Sequence, residues 1–133
     1  MTQPEFSKMP VTRKPTEAEL EILRVLWTKG SATVRDVHDV LNAERAMGYT
    51  TVLKTLQIMT EKGLVNRVEA GKAHIYTPAM REEDMQGQLL KELSEKLFSG
   101  STALLAMHAL SLNPASDDEL QQIKALIERK RGA

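Results

Sequence analysis

Apolar residues recur at helical spacing in three stretches of the first half of the chain. The first stretch opens with Thr16 and Glu19, whose side chains are spaced as a capping box, and it ends at a glycine. The second covers about residues 34–43, and the third covers about residues 50–62. The pattern predicts three amphipathic helices joined by short turns.

The apolar spacing then changes from a helical period to alternation. Residues 64–69 and 73–77 predict two short strands, and Gly71 lies in the turn between them. Three helices closed by a β-hairpin, within about 65 residues, are typical of a winged helix-turn-helix.

Beyond about residue 81 the helical spacing returns. A second capping box, formed by Ser116 and Glu119, precedes the last helix, and residues 128–133 are expected to fray. The predicted fold class is mainly α (α+β), an N-terminal winged helix-turn-helix with a two-stranded wing plus a C-terminal helical dimerisation segment. The predicted domains are a flexible N-terminal tail over 1–15, a winged-helix DNA-binding domain over 16–79 and a helical dimerisation domain over 80–133.

The C-terminal helices carry more apolar residues than three short helices can bury among themselves. Burial against a second copy of the chain explains them most simply, and the alternative is a monomer whose helices fold back onto the first domain. The predicted dimer interface comprises Leu89, Leu93, Leu97, Leu104, Leu105, Met107, Leu110, Leu120, Ile123, Leu126 and Ile127.

Composition excludes several classes of function. Eighteen basic residues balance eighteen acidic ones, so the chain is no uniformly basic nucleic-acid coat, although a local basic face remains possible. The absence of cysteine excludes disulfides and thiolate metal sites, and no apolar run approaches the length of a membrane helix. We expect a cytoplasmic protein without membrane association, cofactor or metal. The three histidines lie on different elements without a catalytic motif, so no enzyme is predicted.

The third helix has the two faces that a DNA recognition helix needs. Thr51, Lys54, Thr55 and Ile58 form one stripe opposite the apolar positions, and hydroxyl, amide, ammonium and methyl groups can contact base edges. The candidates for the recognition helix are Tyr49, Thr50, Thr51, Lys54, Thr55, Gln57 and Ile58. The candidates for backbone and wing contacts are Thr33, Arg35, Arg67, Lys72 and His74.

Each of these features also has a simpler interpretation. A polar helix face is the ordinary solvated side of any helix, and charged residues commonly protect a strand edge. A winged-helix protein–protein interaction module without its own operator is the alternative function, motivated by the zero net charge and the apolar C-terminal surface.

Four segments in order resemble one known family. The segments PTEAELEILRVLW, TVRDVHDVL, YTTVLKTLQIMTEKGLV and RVEAGKAHIYTP are similar to the penicillinase and methicillin-resistance repressors of the BlaI/MecI type, a group that includes the copper-responsive CopY-type repressors. The resemblance implies a homodimeric repressor that binds double-stranded, pseudo-palindromic operators with TACA/TGTA-like half-sites. It places Thr50, Thr51, Lys54 and Thr55 on the recognition helix, and Arg67, Lys72 and His74 on the wing.

Two departures from that family concern how the repressor is released. The β-lactam-responsive members are cleaved at an Asn-Phe bond, and His108 and Ala109 occupy that position here. A sensor protease is therefore implied as a partner only if it cleaves a different sequence. The cysteine metal site of the copper-responsive members is absent. The resemblance thus implies DNA binding without implying the inducing signal.

Overall fold

Six α-helices and one β-hairpin make up the computed structural model, which describes residues 14–132. The order of elements confirms the predicted fold class, whereas most of the predicted tail lies outside the described residues. The elements are α1 (Glu17–Lys29), α2 (Val34–Glu44), α3 (Tyr49–Lys62), β1 (Val65–Ala70), β2 (Ala73–Pro78), α4 (Glu82–Leu97), α5 (Thr102–Leu112) and α6 (Asp117–Gly132). Within residues 14–132, no helix is both long and apolar enough to cross a membrane.

The chain divides into two compact units inside α4, between Leu89 and Leu90. This division lies beyond the boundary that we predicted after residue 79, where the wing ends. Met80 and Met85 are buried in the core of the first unit, so the chain just after the wing still belongs to that unit. The Trp27 indole N–H donates to the Met80 carbonyl over 2.8 Å and ties this segment to α1. The roles assigned to the predicted domains stay predictions.

The core of the first unit lies between α1, α2, α3 and the hairpin. Its large, fully buried side chains come from every one of these elements, as the apolar periodicity predicts. The least exposed are Ile22, Leu23, Leu26, Val37, Val52, Leu56, Met59, Leu64, Val65, Tyr76 and Met85.

The hairpin is antiparallel, and its register extends from Val65 opposite Pro78 to Ala70 opposite Ala73. Gly71, with φ of 63°, provides the left-handed backbone of the tight turn. A bridge that the sequence did not predict holds the hairpin against the helices. The backbone N–H groups of Ala32 and Tyr76 donate to each other's carbonyls, over 3.0 and 2.8 Å.

Capping explains where most of the helices begin. The predicted capping boxes of α1 and α6 are both present, and Thr33 and Asp36 form another at the start of α2. Residues 128–132, which we expected to fray, are helical in the structure, because α6 continues to Gly132. Basic residues at 129–131 occupy the last turn, where positive charge compensates the helix dipole.

A buried carboxylate joins α1 to the far end of α3. Glu19 accepts from the Lys62 ammonium at both carboxylate oxygens, over 2.8 and 3.1 Å, and from the Thr16 backbone N–H over 2.8 Å. Its side chain is almost fully buried, whereas that of Lys62 retains some exposure. Glu19, the acidic member of the α1 capping box, therefore also fixes the position of α3.

The ionisation of Glu19 reflects two opposing effects. Burial alone would raise the pKa of its carboxyl group. The hydrogen bonds from Lys62 and Thr16, together with the positive charge of Lys62, outweigh burial and hold the pKa below its ordinary value. Glu19 therefore stays ionised in the folded protein near neutral pH.

We predict that Glu19→Gln lowers the free energy of unfolding by about 2 kcal/mol at pH 7, the scale of a hydrogen bond to a charged group. Urea denaturation followed by circular dichroism measures this change. Glu119→Gln is the matched control, because Glu119 occupies the same capping-box position in α6 but is exposed and pairs only with Ser116. Equal effects of the two substitutions would show that the Lys62 contact adds nothing to the cap.

We also predict how the stability difference between wild type and Glu19→Gln depends on pH. Since the pKa of Glu19 is lower in the folded state than in the unfolded state, its stabilisation is complete above the unfolded pKa of about 4.3. The difference in stability between wild type and Glu19→Gln should shrink as pH falls through the folded pKa. A difference that stays constant to acidic pH would contradict the assignment.

Candidate nucleic-acid interface

The third helix presents two distinct faces. Val52, Leu56 and Met59 are completely buried against the rest of the first unit. On the outer side, six of the seven residues predicted for the recognition helix are exposed, namely Tyr49 at its start and five others, and Thr55 is half-buried. The exposed five are Thr50, Thr51, Lys54, Gln57 and Ile58.

The outer face of α3 is chemically mixed. It offers hydroxyl groups, one ammonium, one amide and the aliphatic side chain of Ile58, which is 40% exposed. Thr55 differs from the others, since its hydroxyl donates to the Thr51 carbonyl over 2.7 Å. The Thr55 oxygen can still accept a hydrogen bond, but its proton is already used within the helix.

Tyr49 is the first residue of α3, one position earlier than the predicted helix start. Its ring contacts two residues of α2. The Arg35 guanidinium lies 6.0 Å from the ring centroid, and the His38 ring meets it edge to face with centroids 5.8 Å apart. His38 is absent from the predicted site. The sequence does show that His38 lies three residues after Arg35 and so on the same helix face. It does not show the contact with Tyr49, which depends on tertiary structure.

Thr33 is committed to capping α2. Its hydroxyl oxygen accepts from the Asp36 backbone N–H, and its own backbone N–H donates to the Asp36 carboxylate, each over 3.1 Å. The bonds with Thr33 hold the pKa of Asp36 below its ordinary value, so this carboxylate stays negative. A negative charge beside Thr33 disfavours a close phosphate contact there, which leaves Arg35 as the stronger backbone candidate on α2.

The three residues predicted on the wing differ in their exposure. Arg67 and Lys72 are exposed, Lys72 within the turn. His74 is half-buried on the sheet face that also carries the buried Tyr76, and its Nδ1 atom is enclosed without a hydrogen-bond partner in residues 14–132. His74 is therefore less available to a ligand than the two basic residues.

The second unit exposes most of its apolar side chains. No residue of α5 or α6 is buried, and Leu97 is 68% exposed. Of the predicted interface residues, Leu105 and Ile123 are half-buried, whereas Leu89 packs against the core of the first unit. The remaining exposed members are Leu93, Leu97, Leu104, Met107, Leu110, Leu120, Leu126 and Ile127.

The part of the chain that the structure describes holds no cluster of three or more metal-binding side chains. His108, one of the two residues at the position of the family's cleavage bond, lies within α5, and its ring is 5.3 Å from that of Phe98. The concentration of exposed polar groups on α3, next to basic residues of α2 and the wing, is the main candidate site.

Comparison with known proteins assigns the family. A family model described as the penicillinase repressor matches residues 15–129. The chain belongs to the penicillinase repressor family. The transcriptional regulator BlaI of Mycobacterium tuberculosis is 32% identical over 119 residues, which cover 87% of this chain and 86% of that protein. The resemblance inferred from the four sequence segments is confirmed.

Solved structures of this repressor family share the fold of the DNA-binding part. The DNA-binding domain of the repressor BlaI, solved in solution, matches with a TM-score of 0.51 and 28% identity over 57% of this chain and 93% of that domain. The monomeric form of Bacillus licheniformis BlaI in complex with the blaP half-operator matches with a TM-score of 0.50, and its identity and coverage are the same. The chain is thus a winged-helix protein of a family of DNA-binding transcriptional repressors.

Proposed function

We propose that this penicillinase repressor relative is a homodimer that binds a pseudo-palindromic operator. In this proposal α3 enters the major groove, and the wing and the start of α2 contact the phosphate backbone. The observation that carries it is the continuous exposed face of α3, whose opposite face is fully buried. The half-sites are TACA/TGTA-like, as in the family that the sequence resembles.

The chemistry of the α3 face suits such half-sites. The Gln57 amide can pair with adenine, and the Lys54 ammonium can donate to guanine. The methyl groups of Thr51 and Ile58 can pack against thymine methyls. Before its last turn, α3 has one basic residue, Lys54. The centre of the exposed α3 face is therefore better suited to base contacts than to phosphate contacts.

Basic residues outside α3 supply the backbone contacts. Arg67 and Lys72 are exposed on the wing, and Arg35 is exposed at the start of α2. Neither Arg67, Lys72 nor Arg35 forms an ion pair within the described residues, so each can bind phosphate without first breaking a salt bridge. The zero net charge of the chain is therefore compatible with a local basic surface.

The second unit supports the dimer. Eight of the eleven predicted interface residues, all leucine, isoleucine or methionine residues of α4, α5 and α6, are exposed within the described part of the chain. Exposed apolar surface of this extent is typical of an interface. A two-fold dimer also presents two recognition helices, which a pseudo-palindromic site requires.

A gel shift on the promoter fragment upstream of the protein's own coding region tests the function. Binding that resists excess nonspecific competitor and weakens with salt is expected, because phosphate contacts release counterions. If neither that fragment nor any duplex selected from random DNA shifts selectively, the chain is instead a protein–protein interaction module without an operator.

We predict that Lys54→Ala weakens operator binding by about 1–3 kcal/mol, the range for loss of a base contact. Fluorescence anisotropy with a labelled operator duplex measures the dissociation constant. Lys124→Ala removes the same charge from the exposed surface of α6 and is the matched control. Equal affinities of wild type and Lys54→Ala would remove Lys54 from the interface.

We further predict that Leu126→Glu converts the dimer to a monomer, because a charge in the apolar interface loses its hydration without gaining a partner. Sedimentation equilibrium measures the mass. Gln121→Glu introduces the same charge at an exposed polar position of α6 and should leave the dimer intact. A Leu126→Glu protein that sediments as a dimer would place the interface elsewhere.

A further inference from the structure

Three side chains form a contact between α2 and α3 outside the buried core. We propose that His38 is a positioning residue for DNA binding: with Arg35, it holds the Tyr49 ring so that the tyrosine hydroxyl contacts the operator backbone. The inference rests on the proposed function and adds a residue to it. His38 acts through Tyr49 and does not itself touch DNA.

The start of α3 lacks the side-chain cap that holds α1 and α2. Gly48 is its N-cap residue and offers no side-chain hydrogen bond, so the backbone bond from Val52 N–H to the Gly48 carbonyl, 3.2 Å long, is the first of the helix. The contacts of Tyr49 with α2 therefore provide a side-chain anchor where the capping interaction is missing.

Two residues of α2 that lie one turn apart contact the Tyr49 ring. Arg35 and His38 share a helix face, and both reach the Tyr49 ring, at 6.0 and 5.8 Å from its centroid. The His38 Nδ1 atom lies 3.3 Å from the Asp39 carboxylate, which restrains the orientation of the imidazole. The ring of Tyr49 thus lies against α2 in the protein without DNA.

The location of the contact points to binding rather than to folding. Tyr49 is 43% exposed, and Arg35 is exposed as well, whereas the core of the first unit lies on the other face of α3. The hydroxyls of Thr50 and Thr51 follow Tyr49 directly and are also exposed. A held tyrosine among such donors suits a phosphate, because a fixed side chain loses less conformational freedom on binding.

A double-mutant cycle in the full-length protein tests the proposal. The DNA is a duplex from the promoter upstream of the protein's own coding region, called the own-promoter duplex. We expect His38→Ala and Tyr49→Phe each to weaken binding to this duplex about fivefold, the scale of one hydrogen bond. In the Tyr49→Phe background, His38→Ala should have no further effect, since the hydroxyl that it positions is already absent. His38→Phe retains an aromatic ring against Tyr49 and should restore binding. Additive losses, or no rescue by phenylalanine, would overturn the proposal.

Further measurements separate positioning from general destabilisation. Thermal unfolding of each variant shows whether the fold remains intact when binding is weakened. If His38 had a purely structural role, His38→Ala would lower the unfolding midpoint, and its loss of affinity would add to that of Tyr49→Phe. Backbone contacts also act on nonspecific DNA, so the cycle is repeated on a random-sequence duplex at low salt. Suppose that the affinity losses of His38→Ala and Tyr49→Phe add on this duplex, while Lys54→Ala still weakens operator binding. The positioning role of His38 then fails, and the proposed function stands. If no duplex binds wild type selectively, the proposed function itself fails.

Discussion

The contacts of the buried Glu19 carboxylate fix how the helices of the first unit are arranged. It completes the cap of α1 and pairs with Lys62 in the last turn of α3, so one side chain sets both the start of one helix and the direction of another. A buried carboxylate without Lys62 would carry a large desolvation cost, which makes other packings of α3 unfavourable. This packing determines which face of α3 points outward, and that face is the surface for which we propose DNA contact.

The two units differ in how much of their apolar surface they bury. The first unit closes its own core with three helices, the hairpin and the first turns of α4. The second has no buried residue in α5 or α6 and leaves its apolar side chains exposed. The homodimer that we propose would cover them and would account for this contrast. In that arrangement, dimer formation and DNA contact use different surfaces, and each can be altered without the other.

Local patterns in the sequence predicted most of the fold. Capping residues and glycines mark the helix ends, and the change from helical spacing to alternation marks the wing. Contacts between distant positions were not predicted, because no local pattern encodes them. The pairing of Glu19 with Lys62, the bridge from Ala32 to Tyr76 and the contact of His38 with Tyr49 all belong to this group. The candidate site follows the same division, since the stripe on α3 is periodic whereas the exposure of Arg67 and the enclosure of His74 depend on tertiary packing.

The proposed function has DNA on the face formed by α3, the start of α2 and the wing. Hydrogen–deuterium exchange of the full-length protein, with and without the own-promoter duplex, tests this claim most directly. We expect slower exchange at the start of α3, the first turn of α2 and the turn of the wing. Exchange in α5 and α6 should not change, provided that the protein is already dimeric before DNA is added. Protection confined to α5 and α6, with α3 unaffected, would contradict it.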